Sequence, residues 1–150
     1  MVGCAVESGA TTSSGALVVL DTNIVLDLWV FDEPEVAGLL LALQAGHARW
    51  IRTDAMRAEL ARVLGYAHVV RALQRRARDA TQVLEQADRM GVMVPASRCT
   101  VSVRCADPDD QMFVDLALAH GACLISKDQA VLATRRRMAL AGVRVCRHWE

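Results

Sequence analysis

Short apolar runs recur along this chain, separated by segments whose apolar residues have helical spacing. The first run, Leu17 to Leu20, is too short for a helix and is typical of a strand buried on both faces. Strands that alternate with helices form parallel sheets covered by helices, so the pattern predicts an α/β fold with a central parallel sheet of about five strands. The predicted strands comprise residues 17–20, 49–52, 92–94, 122–126 and 143–146.

Proline and glycine mark the predicted helices between these strands. Pro34 lies in a first helical turn, where its missing N–H costs nothing. Glycines follow the ends of four helices, at positions 46, 65, 121 and 142. After Asp21 the apolar residues resume with helical spacing. Further helices are predicted over residues 34–45, 55–64, 68–90, 111–120 and 129–141, and residues 100–103 are predicted to be extended.

The length of 150 residues fits one domain. Residues 1–16 are rich in Gly, Ser, Thr and Ala without periodicity, which predicts a flexible N-terminal tail ahead of a domain over residues 17–150. No apolar run approaches the roughly 18 residues that span a bilayer, and the N-terminus lacks the order of a secretory signal. We therefore expect a soluble, cytoplasmic protein.

Five cysteines and four histidines show no metal-binding spacing. The cysteine count is odd and no CxxC pair occurs, so we expect reduced thiols and no zinc site.

The formal net charge is zero, and the chain as a whole does not attract nucleic acid. All but one of the 17 basic residues are arginine, a composition that a GC-rich genome also produces.

Acidic residues stand where predicted strands and helices meet. Asp21 ends the first strand, Asp110 begins a helix, and Asp128 follows the strand after that helix. Parallel sheets bind ligands beyond the carboxyl ends of their strands, so these side chains could meet at one edge. Glu59 lies on a helix among apolar residues and faces either solvent or a polar cleft. Each acid taken alone could also be a helix cap or a surface residue.

A cluster of these carboxylates would need a cation. Two carboxylates about 4 Å apart repel by about 4 kcal/mol at an effective dielectric constant of about 20, so three or four together must protonate or bind a metal ion. Oxygen ligands favour a hard ion such as Mg²⁺ or Mn²⁺. Such an ion lowers the pKa of bound water, and two ions could clamp the attacking and leaving oxygens of a phosphodiester. The acids therefore predict metal-dependent phosphodiester hydrolysis.

The sequence around these acids resembles the PIN-domain family from residue 17 to about residue 146. The segment from Val18 to Asn23 (VVLDTN) is similar to the opening of these domains, where an apolar strand is followed by Asp, a small hydroxyl residue and Asn. Glu59, in the segment Ala58 to Leu60, resembles the family's second acid, which also lies on a helix.

The other two acids have family-like surroundings as well. Asp110, with Phe113 and Ala117 following at helical spacing, matches the third acid, and the segment from Leu124 to Asp128 (LISKD) looks like the strand that ends in the fourth. The segment from Asp107 to Asp110 (DPDD) is especially similar to the bacterial branch of VapC-like ribonucleases, the toxin components of toxin–antitoxin pairs.

The resemblance implies a metal-dependent endoribonuclease that uses Mg²⁺ or Mn²⁺ and leaves 5′-phosphate products. The acids that it assigns to metal binding and catalysis are Asp21, Glu59, Asp110 and Asp128. Asn23 and Ser126 would orient these acids through hydrogen bonds. Asp107 and Asp109 are either further ligands or helix caps, with caps favoured, and either of them could replace Asp110.

Arginines at helical spacing could bind RNA phosphates. They are Arg71, Arg75 and Arg78, and the alternative is a solvated helix face paired with Asp79. The chain has few aromatic residues for base stacking, so recognition of RNA would depend on shape and phosphates. The resemblance further implies a homodimer and a small antitoxin protein as partner.

The same residues bear on other functions. A PIN-like scaffold could retain its acids and act as a non-catalytic RNA- or protein-binding module, which absence of metal binding would indicate. A haloacid-dehalogenase-type phosphatase needs an aspartate where this chain has Asn23, and a response-regulator receiver needs an acidic pair that the chain lacks. A Rossmann or P-loop nucleotide site needs a glycine-rich loop, and residues 21–30 contain no glycine.

Overall fold

The computed structural model describes residues 15–96 and 102–150 of the chain. The described residues form one sheet in which every neighbouring pair of strands is parallel, in the order β3-β2-β1-β4-β5. This sheet confirms the predicted α/β fold. The strands are β1 (Ala16–Leu20), β2 (Ala48–Arg52), β3 (Gly91–Met93), β4 (Cys123–Ile125) and β5 (Val145–Cys146).

Eight α-helices in the described ranges flank the sheet, and one-turn 3₁₀ helices at Pro34–Val36 and Pro108–Asp110 precede two of them. Of the described helices, none is long and apolar enough to cross a membrane. The helices are α1 (Thr22–Trp29), α2 (Ala37–Ala45), α3 (Asp54–Val63), α4 (Ala67–Arg75), α5 (Ala80–Met90), α6 (Gln111–His120), α7 (Gln129–Leu132) and α8 (Arg135–Leu140).

Alternate residues of the strands face two separate cores. In β1, Val18 and Leu20 belong to the core formed with α1, α2, α4 and α5, whereas Val19 belongs to the core formed with α6, α7 and α8. Trp50 and Ile51 of β2 divide in the same way. Because helices cover both faces of the sheet, its central strands are continuous apolar runs.

The order of the strands produces a crevice beside β1. The chain proceeds from β1 to β2 and β3 on one side, and later enters the sheet on the other side through β4 and β5. Leu20 of β1 pairs with Ile125 of β4, so both strands end at the same edge. Open α/β sheets bind ligands at such a point, and the residues that follow β1 and β4 therefore define the candidate site.

Two predicted helices are each divided in the structure, and both predictions were wrong in this respect. The helix predicted over residues 68–90 is split into α4 and α5, because Ala77 has a positive φ of 53° and Asp79 begins α5 with a capping box. The helix predicted over residues 129–141 is split into α7 and α8. The Thr134 hydroxyl donates to a carbonyl of α7 at 2.6 Å, a bond that competes with continuous helical pairing.

Some predictions fall partly on residues outside the described ranges. These include residues 1–14 of the predicted tail and residues 100 and 101 of the predicted extended segment. The described end of that segment, residues 102 and 103, forms no strand.

Cys105, Cys123 and Cys146 are free thiols, and burial raises the pKa of Cys123 to about 12. The other two cysteines lie outside the described residues.

Arg52, at the end of β2, is a buried charge. Its side chain is 1% exposed, its guanidinium carbon lies 4.7 Å from the Trp50 ring centroid, and Nη1 donates to Asp88 Oδ1 at 3.1 Å. Asp88, on α5, also accepts two hydrogen bonds from Arg57 of α3. The bonds from Arg57, together with the charge of Arg52, hold the pKa of Asp88 below its ordinary value. One carboxylate thus ties β2, α3 and α5 together.

Replacement of Asp88 by Asn leaves the buried Arg52 charge without its anion. We expect the free energy of unfolding to fall by about 2 kcal/mol, less than the roughly 3–5 kcal/mol typical of a fully buried pair, because Asp88 is partly exposed. The matched control, Arg57→Gln, removes only the exposed arm and should cost less than about 1 kcal/mol. Urea denaturation measures both variants, and equal losses would contradict the role given to Arg52.

Candidate metal centre

Strand β1 delivers Asp21 to the edge of the sheet. The backbone N–H of Asp21 donates to the Ile125 carbonyl at 3.1 Å, which extends the pairing of β1 with β4 by one residue. Asp21 also stands at the N-cap position of α1 and is 4% exposed. A buried carboxylate at the carboxyl ends of two parallel strands can be reached by a ligand in the crevice beyond them.

Ser126 links Asp21 to the turn that follows β4. Its Oγ donates to Asp21 Oδ2 at 2.6 Å and accepts the backbone N–H of Asp128 at 3.0 Å. Asp128 also caps α7 by accepting a backbone N–H at 2.8 Å. Between these two residues, Lys127 Nζ lies 2.5 Å from Asp27 Oδ2 and so anchors the turn to α1. Hydrogen bonds therefore fix both Ser126 and Asp128 in this turn.

The loop before α6 carries Asp110. The Gln111 side chain clamps this loop, because its Nε2 donates to the Val103 carbonyl at 2.7 Å and its Oε1 accepts the Cys105 N–H at 2.7 Å. Asp110 is 9% exposed, and its Oδ2 is a buried oxygen with no hydrogen-bond partner among the described residues. A buried oxygen in this state needs a ligand or a proton.

Three of the four predicted acids converge. Asp21, Asp110 and Asp128 each offer a carboxylate oxygen, and these oxygens lie within 4.8 Å of one another. Glu59 lies beside this group on α3, where its Oε2 accepts a hydrogen bond from the Thr22 hydroxyl. The charge of Glu59 still acts on Asp21 and Asp110. We call the three converging residues the aspartate cluster.

Burial and mutual repulsion disfavour full ionisation of the cluster. The pKa of Asp110 is raised to about 7, mainly by burial and then by the charges of Asp21 and Asp128. Burial also raises the pKa of Asp21, although the hydrogen bond from Ser126 opposes this effect. The metal-free cluster therefore retains a proton near neutral pH, and a divalent cation would relieve the same repulsion.

The donors fit a hard divalent ion. All three are carboxylates, as Mg²⁺ and Mn²⁺ prefer, and no thiol or imidazole belongs to the group that the described residues form. The Oδ2 atom of Asp110, which has no hydrogen-bond partner among the described residues, is free to ligate an ion. The Asp21 carboxylate is oriented by the Ser126 hydroxyl and the Asp128 carboxylate by the backbone N–H of Ala130, as metal-binding carboxylates usually are by a second hydrogen-bonded group.

The remaining predicted residues take different places. The Asn23 side chain is exposed, and its backbone amide is the group that helps to stabilise the Asp21 carboxylate. Asp107 accepts the backbone N–H of Asp109 at 3.0 Å and so caps the turn before α6. Asp109 is exposed. Neither Asp107 nor Asp109 belongs to the aspartate cluster. Asp110 is the residue of this turn that does.

The three arginines predicted to bind RNA lie on α4 and in the loop after it. Arg71 and Arg75 are exposed on α4. Arg78 donates two hydrogen bonds to Asp32 and one to the Trp29 carbonyl, so it joins the loop to the end of α1. Their contact with RNA stays a prediction.

Three residues that support the site were not singled out from the sequence. They are Thr22, Lys127 and Gln111. Thr22 could have been found, because a hydroxyl directly after Asp21 lies at the same strand end. Lys127 pairs with Asp27 from a distant part of the chain, and Gln111 bonds the backbone of the loop before it, so no local residue pattern encodes either contact.

Comparison with known proteins gives a consistent picture. The PIN domain family model matches residues 17–130. The structure is similar to the crystal structure of VapBC2 from Rickettsia felis bound to a DNA fragment from their promoter, with a TM-score of 0.58 and 13% identity over 86% of this chain and 96% of that chain. No curated protein matches the chain.

The raised pKa of Asp110 predicts how the metal-free protein responds to pH. The folded protein binds more protons than the unfolded chain between about pH 4 and pH 7, so its free energy of unfolding should fall as pH rises through that window. Asp110→Asn removes this penalty and should stabilise the metal-free protein by about 2–4 kcal/mol at pH 8.

Urea denaturation in EDTA at pH 5 and pH 8 measures this effect. The control is Asp109→Asn, which changes an exposed carboxylate one residue away and should shift stability by less than about 0.5 kcal/mol at both values. A wild-type stability that rises between pH 5 and pH 8, with Asp110→Asn no more stable than wild type, would show that the cluster is not strained.

Proposed function

The chain belongs to the PIN-domain family, and we propose that it is an endoribonuclease that hydrolyses RNA phosphodiester bonds with Mg²⁺ or Mn²⁺. We further propose that it acts in the cytoplasm as the toxin of a type II toxin–antitoxin pair. The observation that carries the enzymatic proposal is the aspartate cluster, in which one carboxylate oxygen of each residue lies within 4.8 Å of the others and Asp110 has a buried oxygen without a hydrogen-bond partner. A group of this kind is costly for folding unless it serves a cation.

The aspartate cluster and its acidic neighbour Glu59 would hold the metal in different ways. Asp21, Asp110 and Asp128 would ligate it, and Glu59 would complete the acidic lining from α3 while the Thr22 hydroxyl holds its position. When bound, the metal supplies an activated water and neutralises charge on the phosphate. Ser126 keeps Asp21 and Asp128 in register, so that the ligands do not have to reorganise on binding.

The proposal of a protein partner draws on a similar fold. The similar structure from Rickettsia felis is a VapBC2 complex on promoter DNA. By analogy, an antitoxin protein would bind this chain. The resemblance to the family is the basis for the further proposal that the chain forms a homodimer. These are proposals about partners, and they are independent of the proposal about the metal.

The first test removes the charge of one proposed ligand and keeps the size and shape of its side chain. Asp21→Asn should lower RNA cleavage with Mn²⁺ by at least roughly 100-fold, because a neutral amide cannot balance the cation. EDTA should abolish the wild-type activity, and Glu35→Gln, an exposed change outside the cluster, should leave it within about twofold. Cleavage of a mixed RNA pool, with circular dichroism as a check on folding, measures all three. Undiminished cleavage by Asp21→Asn or in EDTA would refute the metal mechanism.

A second test addresses the residue that orients the ligands. Ser126→Ala removes the hydrogen bond to Asp21 and the acceptor for the Asp128 N–H, and it leaves every proposed ligand in place. We expect the Mn²⁺ affinity to fall by about 10- to 100-fold, with activity recovering at high Mn²⁺. Calorimetry and metal-titrated cleavage measure the shift. An unchanged affinity would mean that Ser126 has no part in metal binding.

A further inference from the structure

A groove lies beside the aspartate cluster, between α3 and the turn that precedes α6. Its volume is about 520 Å³, within the range of pockets that hold small ligands. We call it the α3–α6 groove, and its lining comprises Ala55, Ala58, Glu59, Arg62, Pro108, Asp109 and Met112. Glu59 belongs both to this groove and to the acidic lining of the site, so the two are continuous.

The walls of the groove suit a flat apolar surface. Ala55 and Ala58 are small, exposed residues on one side, and Pro108 and Met112 form the facing side. Alanine leaves room at the wall, and methionine adapts its shape to what lies against it. A small, adaptable apolar lining of this kind is suited to the flat face of a nucleic-acid base.

Arg62 places a cation at the end of the groove. Its Nη1 donates to the Tyr66 hydroxyl at 2.5 Å, its guanidinium carbon lies 5.8 Å from the Tyr66 ring centroid, and Nη2 lies 3.6 Å from Glu59 Oε1. The side chain is nevertheless 59% exposed. An arginine that is oriented but accessible is suited to a phosphate. Arg62 follows Glu59 by one helical turn, a rise of about 4.5 Å.

We propose that the α3–α6 groove binds the nucleotide adjacent to the cleaved phosphodiester of a single RNA strand. Its base would lie between Ala58 and Met112, and its phosphate would contact Arg62. This inference rests on the proposed ribonuclease function, since the position of the groove next to the acids is what identifies the occupant. Ala58 and Met112, which would face the base, are apolar and offer no side-chain hydrogen bond to a base edge, so the subsite binds a nucleotide with little selection among bases.

Two variants test the subsite from its two ends. Ala58→Leu fills the groove with a residue that favours helices, and Arg62→Gln removes the cation. The matched controls are Ala61→Leu, at an exposed position of α3 outside the lining, and Arg89→Gln, an exposed arginine on α5. Steady-state cleavage with Mn²⁺ gives kcat and KM for each protein. Calorimetry gives the Mn²⁺ affinity, and fluorescence anisotropy gives the affinity for a cleavage-resistant phosphorothioate RNA of eight nucleotides.

We expect Ala58→Leu and Arg62→Gln each to raise KM and the RNA dissociation constant by about 10-fold or more, the loss of one favourable contact. The value of kcat, the Mn²⁺ affinity and both controls should stay within about threefold of wild type. If the wild type cleaves RNA but neither groove variant changes KM, the subsite is wrong and the ribonuclease proposal stands. If the wild type cleaves no RNA, the ribonuclease proposal fails, and unchanged or absent binding of the phosphorothioate RNA overturns the subsite as well.

Discussion

Repulsion among buried carboxylates is the interaction around which this structure is organised. Burying Asp21 and Asp110 costs less free energy in their neutral forms than in their charged forms, and burial therefore raises the pKa of each. The fold nevertheless brings them to Asp128, because β1 and β4 pair side by side and end at the same edge. Ser126, which donates to a carboxylate 105 positions away, makes this arrangement specific. A protein that keeps such a cluster gives up stability in the metal-free state, and the cation is the natural compensation.

The sequence predicted the features that local signals encode. These features are the apolar runs of the central strands, the polar residues that end them and the glycines after helices. Each is visible within a few positions, and together they predict the parallel sheet and the acids at the ends of its strands. The divided helices were missed because the left-handed Ala77 and the Thr134 hydroxyl bond compete with an apolar spacing that continues past both. Local signals left open whether Glu59 faces solvent or a cleft, and only the family resemblance assigned it to the site, since its place depends on how α3 packs against the first turn of α1.

The distribution of charge explains how a neutral chain could still act on a polyanion. Arg52 and Arg57 share Asp88, and Arg78 is paired with Asp32, so these cations fix the fold instead of extending into solvent. Arg62 differs, because its guanidinium is held beside the acids and stays largely exposed. The strength of RNA binding would therefore depend on the bound cation and a few placed contacts such as Arg62 more than on net charge.

The shared cation is the central claim, and a crystal structure with Mn²⁺ tests it most directly, because anomalous scattering identifies the ion. The account predicts an anomalous peak bonded at about 2.0–2.3 Å to carboxylate oxygens of Asp21, Asp110 and Asp128, with the formerly unpartnered Oδ2 of Asp110 among them. A crystal saturated with Mn²⁺ that shows no peak between these three residues, or that shows the ion held by other side chains, would contradict it.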